Sequence, residues 1–178
     1  MLLAVVSCGW AVALAQDAAV KAGLGQPLEA TTYQIRNKKY QELLRPKDAN
    51  NADGTRIVLY SPEPWKCMTW KVQPTTNEDC LLRNFFTHKT FSPEKADKVG
   101  ADPVVQIPFA HQTKDVPVWQ FTKLADGTYK ITDAQSTNVL TAVPGADGYG
   151  EEIVVEPWRN LDEQKWELMK IDPQHLTM

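Results

Sequence analysis

The chain has 178 residues, of which 43% are hydrophobic and 23% are charged, so a single globular domain with a buried core is expected. Its formal net charge of −3 provides no basic field for nucleic acid or for an anionic lipid surface. Its 9 glycines and 12 prolines, with few helix-period patterns, favour short strands joined by turns, which predicts an all-β fold.

The first fifteen residues are typical of a targeting segment. They carry no charge and end in Ala13-Leu14-Ala15, the small-x-small pattern that precedes signal-peptidase cleavage. The segment is too short to span a bilayer as a helix. We predict a signal peptide over 1–15, a linker over 16–31 and a secreted or periplasmic protein. The alternative is a lipoprotein on the cell envelope, because Val5-Val6-Ser7-Cys8 is similar to a bacterial lipobox in which Cys8 would carry the lipid anchor.

Export would leave two cysteines, Cys67 and Cys80, in an oxidising compartment. An even pair of this kind predicts a disulfide that closes a short loop. The alternative is two unpaired buried thiols, because the sequence does not show whether the two β-carbons come within bridging distance.

An internal repeat of about 47 residues organises the rest of the chain. Each repeat opens with a strand that alternates apolar and polar residues and ends in a turn former: Tyr33 to Asn37, Cys80 to Asn84 and Tyr129 to Asp133. A second strand then contains Leu44, Phe91 or Leu140. A third is β-branched: Ile57-Val58-Leu59, Val104 to Ile107 and Ile153-Val154-Val155. The fourth strand contains Trp70, Trp119 or Trp166, which we predict to be core residues.

The repeats are expected to form one domain over 32–178, with units over 32–78, 79–127 and 128–173. Asp126-Gly127 lies between two alternating runs, which is a strong hairpin signal at the joint between the second and third units. Three four-stranded units around a pseudo-threefold axis predict a closed barrel with a hairpin cap, which leaves no long sheet edge exposed.

These motifs resemble those of the ricin-B-type β-trefoil lectins, whose units carry a Tyr-x-Ile-x-Asn opening and a Gln-x-Trp close. The first unit keeps Tyr33-Gln34-Ile35-Arg36-Asn37, and the third keeps Gln164-Lys165-Trp166. The resemblance implies a β-trefoil fold. It also implies a sugar site built from an Asp directly after the second-strand Leu, an aromatic ring and an Asn. The Asp is replaced in all three units, by Arg45, Ser92 and Thr141.

Two aromatic loops are the candidate ligand-binding sites. Tyr60 keeps the aromatic position in the first unit and precedes Trp65 in a proline-rich loop, where a held ring would stack on a sugar or a peptide. In the third unit, Trp158 and Asn160 lie in the equivalent loop. The alternative is that both loops fold back and cap the barrel.

Arg45 is unusual at a position where the lectins place an acid. A guanidinium there would bind an anionic sugar or another carboxylate through two parallel hydrogen bonds. The alternative is an ordinary ion pair with a nearby acidic side chain of the protein.

The inventory of motifs argues against an enzyme. His88, His111 and His175 lie far apart in sequence, and the chain contains no His-Glu-x-x-His motif, Gly-x-Ser-x-Gly elbow or phosphate loop. The segment from Asp48 to Gly54 is similar to a calcium loop but out of register, so we interpret it as the turn of the repeat. No cofactor or metal site is predicted.

The sequence therefore predicts an exported, monomeric, non-catalytic carbohydrate-binding module whose partner is a glycan or a cell-surface polysaccharide. One alternative is a trefoil that has lost its sugar sites and binds protein as an inhibitor, adhesin or scaffold. A third interpretation is an accessory domain of an enzyme.

Overall fold

The computed structural model describes residues 28–75, 79–94, 101–110, 116–146, 148 and 150–177. The predicted signal peptide, Cys8 and residues 16–27 of the predicted linker lie outside the described residues. Within the described ranges the chain forms twelve strands, which confirms the predicted all-β class. In chain order they are β1 Thr32–Asn37, β2 Leu43–Pro46, β3 Ile57–Tyr60, β4 Thr69–Pro74, β5 Asp79–Asn84, β6 Thr90–Pro93, β7 Asp102–Ile107, β8 Val118–Lys123, β9 Tyr129–Asp133, β10 Val139–Pro144, β11 Glu151–Glu156 and β12 Trp166–Lys170.

The first and fourth strands of the three repeats form a closed barrel. The antiparallel pairs run in a ring through β1, β4, β5, β8, β9 and β12, and β12 returns to β1. The ring closes where Trp166 lies opposite both Tyr129 on β9 and Asn37 on β1. Closure pairs each of these six strands on both sides, as the repeat predicts.

The second and third strands form three hairpins that cap one end of the barrel. The hairpins are β2 with β3, β6 with β7 and β10 with β11. They also contact one another, because β11 pairs with β3 and with β7, and a bridge joins Arg56 to Val105. A six-stranded barrel capped by three hairpins around a pseudo-threefold axis is the β-trefoil architecture.

Each unit contains the same turn after its first strand. The terminal Asn or Asp side chain accepts backbone N–H bonds from residues two or three positions later, which favours a turn over continued pairing. The residue four positions later is left-handed and donates its N–H to the backbone carbonyl of the Asn or Asp. These residues are Gln41 (φ 59°), His88 (φ 59°) and Thr137 (φ 65°).

The core is built around the three equivalent tryptophans. Trp70, Trp119 and Trp166 are each 0% exposed, as predicted. The indole N–H of Trp70 donates to the Leu44 carbonyl at 2.9 Å, and that of Trp166 donates to the Leu140 carbonyl at 3.0 Å. The rings of Trp70 and Trp119 both pack against Phe91, but the indole nitrogen of Trp119 has no hydrogen-bond partner among the described residues.

The predicted disulfide is wrong, because Cys67 and Cys80 are both free, buried thiols. Cys80 lies on β5 and faces the barrel core, whereas Cys67 lies in the 3₁₀ helix Lys66–Met68 and packs against Leu43 and Met68 in a separate cluster. Burial raises the pKa of Cys80 to about 11 and also raises the pKa of Cys67. Both thiols are therefore protonated at neutral pH.

In the described ranges, none of the helices has the length and apolar character needed to cross a membrane.

Candidate functional site

The first unit has an open pocket of about 460 Å³ on the capped side of the barrel. Its lining comes from the β2–β3 hairpin, the loop after β3 and one turn of the second unit. The lining residues are Arg45, Asp48, Ala49, Tyr60, Trp65, Cys67 and Phe86. Three of the predicted site residues, Arg45, Tyr60 and Trp65, are thus brought together.

The register of β2 with β3 brings Arg45 close to Tyr60, and a contact with the C-terminal segment positions Trp65. Arg45 on β2 lies opposite Val58, two residues before Tyr60 at the end of β3. After Tyr60 the chain continues through the proline-containing segment 61–64 to Trp65. The backbone of Trp65 pairs with that of Thr177, which fixes the loop against the C-terminal segment.

The two aromatic rings form one surface. The rings of Tyr60 and Trp65 stack with centroids 5.9 Å apart and an interplanar angle of 29°. Tyr60 is 42% exposed, which is high for a large aromatic residue and leaves ring surface open to solvent. Trp65 is half-buried, so Tyr60 provides most of the open ring surface. Such a surface is suited to stacking on the apolar face of a sugar.

Arg45 lies directly beneath this aromatic surface. Its guanidinium carbon is 3.9 Å from the Tyr60 ring centroid and 6.0 Å from that of Trp65, both within cation–π range. The Arg45 side chain is only 9% exposed, whereas the side chain of Asp48, its ion-pair partner, is 82% exposed. The Nη2 to Oδ1 separation is 4.0 Å, which is too long for a hydrogen bond.

The Cys67 thiol also contacts the guanidinium of Arg45. The Arg45 charge and its contact with the thiol lower the pKa of Cys67, but burial has the larger effect and the net shift is upward. A protonated thiol carries no negative charge that would compensate the arginine. The pocket therefore combines an apolar aromatic wall with a buried positive charge.

The third unit has a smaller pocket of about 140 Å³ in the equivalent place. Thr141 and Glu156 occupy the strand positions held by Arg45 and Tyr60 in the first unit. Two ion pairs lie within the pocket: Lys39 Nζ is 2.6 Å from Glu163 Oε1, and Arg159 Nη2 is 2.6 Å from Glu156 Oε2. Because these charges are paired with each other, the pocket offers fewer free polar groups to a ligand than the first.

The remaining predicted residues, Trp158 and Asn160, do not line the third-unit pocket. The Trp158 ring centroid lies 5.7 Å from Lys130 Nζ, and Asn160 is exposed with a φ of 59°. Gln164 holds their loop: its Nε2 donates to the Pro157 carbonyl at 2.9 Å, and its Oε1 accepts the Arg159 N–H at 2.7 Å.

Four lining residues were not predicted as site residues from the sequence: Asp48, Ala49, Cys67 and Phe86. Phe86 comes from the turn after β5 in the second unit and is 39% exposed. Cys67 was considered only as a disulfide partner. An aromatic residue two positions after the turn-forming Asn84 is the signal that would have drawn attention to Phe86, but the pairing of that turn with the first unit is visible only in three dimensions.

The segment from Asp48 to Gly54 forms a turn, as interpreted from the sequence. The side-chain amide of Gln106 on β7 donates to the Asn50 carbonyl at 3.2 Å and to the Ala52 carbonyl at 2.9 Å. The turn thus uses its carbonyl oxygens within the fold. Over the ranges that the structure describes, no group of three His, Cys, Asp or Glu side chains is arranged to hold a metal ion.

No family model and no curated protein matches this sequence. Among solved structures, the designed threefold-symmetric protein ThreeFoil matches with a TM-score of 0.70 at 19% identity, covering 79% of this chain and 99% of that one. A ricin B-like lectin of Macrolepiota procera, solved in complex with lactose, matches with a TM-score of 0.64 at 16% identity, covering 83% of this chain and 100% of the lectin.

An exo-β-1,3-galactanase from Clostridium thermocellum also matches, with a TM-score of 0.70 at 17% identity over 82% of this chain. This match covers only 31% of the enzyme, so the chain corresponds to a minor part of it. At such identities these likenesses establish the fold, and the predicted β-trefoil is confirmed.

Proposed function

We propose that this protein is an exported, non-catalytic, lectin-like module that binds a glycan in the first-unit pocket. The observation that carries the proposal is the exposed Tyr60 ring, stacked with the half-buried Trp65 ring, above the buried guanidinium of Arg45. The Macrolepiota lectin of the same fold was solved with lactose, which supports a sugar as the ligand class. Export rests on the predicted signal peptide.

The chemistry of the pocket fits a pyranose. The apolar face of the sugar ring would stack on the Tyr60–Trp65 surface, and its hydroxyl groups would accept hydrogen bonds from Arg45 and donate to Asp48. The pocket is open and has few polar groups, so each site would bind weakly, with a Kd of about 1 mM. In this proposal Arg45 stands where the ricin-B-type lectins have an Asp, so the sugar would be bound in a different arrangement from the one those lectins use.

The Trp158 loop is proposed as a secondary contact. Trp158 and Asn160 lie outside the third-unit pocket, and Lys130 covers one part of the tryptophan ring. A long polysaccharide that occupies the first unit would gain avidity from a second weak contact of this kind.

A glycan array probed with the full chain tests the proposal. We expect reproducible binding that is lost on Tyr60→Ala with Trp65→Ala and is reduced but retained on Trp158→Ala. Arg83→Gln is the matched control, because Arg83 also lies over an aromatic ring, 5.3 Å from the Phe109 centroid, but in the second unit. A blank array from well-folded protein would instead favour a protein partner, and equal binding by the parent and the double variant would exclude the first-unit pocket.

A further inference from the structure

The guanidinium of Arg45 is buried but only partly used by the protein. Only 9% of the side chain is exposed to solvent. Its Nε has no hydrogen-bond partner among the described residues. A buried charge without a hydrogen-bonded partner is costly, so natural proteins rarely keep one where no ligand or solvent compensates it.

Asp48 compensates this charge poorly. Its carboxylate is mostly exposed and lies 4.0 Å from Nη2, beyond hydrogen-bond distance. Asp48 itself has a left-handed backbone, with φ 54°, in the turn after β2. Both residues line the pocket, so a ligand there would lie beside the Nη2–Asp48 ion pair.

The remaining donors of Arg45 are suited to a carboxylate. The guanidinium carbon lies 3.9 Å from the Tyr60 ring centroid, and an aromatic ring offers the guanidinium N–H groups no oxygen acceptor. A carboxylate has the planar, two-oxygen geometry that matches these donors, and its charge compensates the arginine as a neutral hydroxyl group does not. The neighbouring rings of Tyr60 and Trp65 would hold the sugar that carries the carboxylate.

We propose that the first-unit pocket selects glycans that carry a carboxylate, that is uronic or sialic acids, and that Arg45 determines this specificity. The proposal rests on the proposed function, because it names the class of sugar bound at the same pocket. The ligand carboxylate would replace Asp48 as the partner of Arg45, and the sugar ring would stack on the aromatic surface.

Isothermal titration of the full chain with matched acidic and neutral sugars tests the proposal. The pairs are trigalacturonic acid with galactotriose, and sialyllactose with lactose, so that the two sources of carboxylate are distinguished. A sulfated galactotriose is included as a different anion. We expect at least one carboxylated sugar to bind about 10-fold more tightly than its neutral counterpart, with an affinity that falls as salt is added.

Three variants locate the effect. Arg45→Gln should abolish the preference for the acidic sugar, and Arg45→Lys should retain part of it, because a lysine keeps the charge without the planar donors. Asp48→Asn should raise the affinity for the acidic sugar about 2-fold, because it removes a competing carboxylate. Asp48 is exposed, so Asp48→Asn should not disturb the fold, and it tests the proposal even if the Arg45 variants unfold. Arg83→Gln should change nothing.

The outcomes separate the two proposals. Equal binding of the acidic and neutral sugars would overturn the carboxylate specificity and leave the lectin-like function standing. An absence of binding to every sugar would overturn both. A preference for the sulfated sugar over both carboxylated ones would also overturn the carboxylate specificity. An acidic preference that survives Arg45→Gln would refute the role assigned to Arg45.

Discussion

Trp119 lacks an indole hydrogen bond that the equivalent tryptophans of the other two units make. Trp70 and Trp166 each donate an indole N–H to a second-strand carbonyl, while the Trp119 nitrogen has no partner among the described residues. Replacement by Phe removes a similar volume at each site, so the cavity costs are similar. Trp166→Phe additionally leaves the Leu140 carbonyl without its donor.

We therefore expect Trp166→Phe to lower the free energy of unfolding by about 1–2 kcal/mol more than Trp119→Phe does. Urea denaturation followed by circular dichroism measures the difference. Trp70→Phe serves as a replicate and should behave like Trp166→Phe. An equal loss of unfolding free energy at all three positions would show that the indole hydrogen bonds make no net contribution to stability.

The left-handed backbone of Thr137 is a second feature of a single residue. A β-branched side chain is disfavoured at a φ of 65°, and glycine has no such penalty. We expect Thr137→Gly to raise the free energy of unfolding by about 1 kcal/mol, because relief of this strain outweighs the added entropy of the unfolded chain. Gln135→Gly, in the same exposed turn but outside the left-handed region, should lower stability by about 0.5 kcal/mol. Thermal unfolding of both variants checks the prediction, which a loss of stability in Thr137→Gly would contradict.

At the scale of elements, the strands were predictable and the site only in part. Period-two alternation in the first strand of each unit and the repeated tryptophans located the strands, because burial on one face requires that pattern. Arg45 and Tyr60 could be placed near each other because hairpin strands pair in register. Phe86 could not be placed there, because its contact with the first unit depends on the register of β4 with β5, in which Asn84 lies opposite Trp70 and the Phe85 N–H donates to the Thr69 carbonyl. The predicted disulfide failed because the side-chain direction at Cys67 depends on a 3₁₀ helix that no sequence pattern marked.

An ion-pair group joins three turns at one end of the barrel. Lys38, in the turn after β1, lies 3.1 Å from Asp126 in the β8–β9 turn and 3.1 Å from Asp162 in the 3₁₀ helix Asp162–Gln164. Hydrogen bonds from Thr128, with a further one from Lys38, hold the pKa of Asp126 well below its usual range. Lys38 and Lys165 lower the pKa of Asp162.

These shifts predict a pH dependence with a definite sign. A carboxyl group whose pKa is lower in the folded state stabilises the protein above its unfolded pKa, and this stabilisation is lost as the pH falls through the folded pKa. Lys38→Met should raise both pKa values toward normal and so reduce the stability lost on acidification from neutral pH to about pH 2. Urea denaturation at a series of pH values measures this, with the exposed Lys71→Met as control. An unchanged pH profile in Lys38→Met would rule out coupling through this group.

At the scale of the whole molecule, the end of the chain holds the wall of the first-unit pocket. The Thr177 N–H donates to the Pro64 carbonyl at 2.8 Å, and the Lys66 N–H donates to the Thr177 carbonyl at 3.0 Å. These two bonds enclose Trp65, whose ring stacks on Tyr60. The C-terminal segment is therefore bonded to a loop of the first unit that lies 113 positions earlier in sequence.

Deletion of residues 176–178 removes both backbone bonds, whereas Thr177→Ala keeps them and loses only the hydroxyl contact with Pro64. We expect the deletion to speed hydrogen exchange at the Lys66 amide about 10-fold or more, while the amides of β4 in the barrel keep their protection. Glycan affinity should fall several-fold, because Trp65 then has to be ordered when the ligand binds. Thr177→Ala should match the parent in both measurements. Unchanged exchange at Lys66 in the deletion variant would show that the proline-containing loop holds Trp65 without the C-terminal segment.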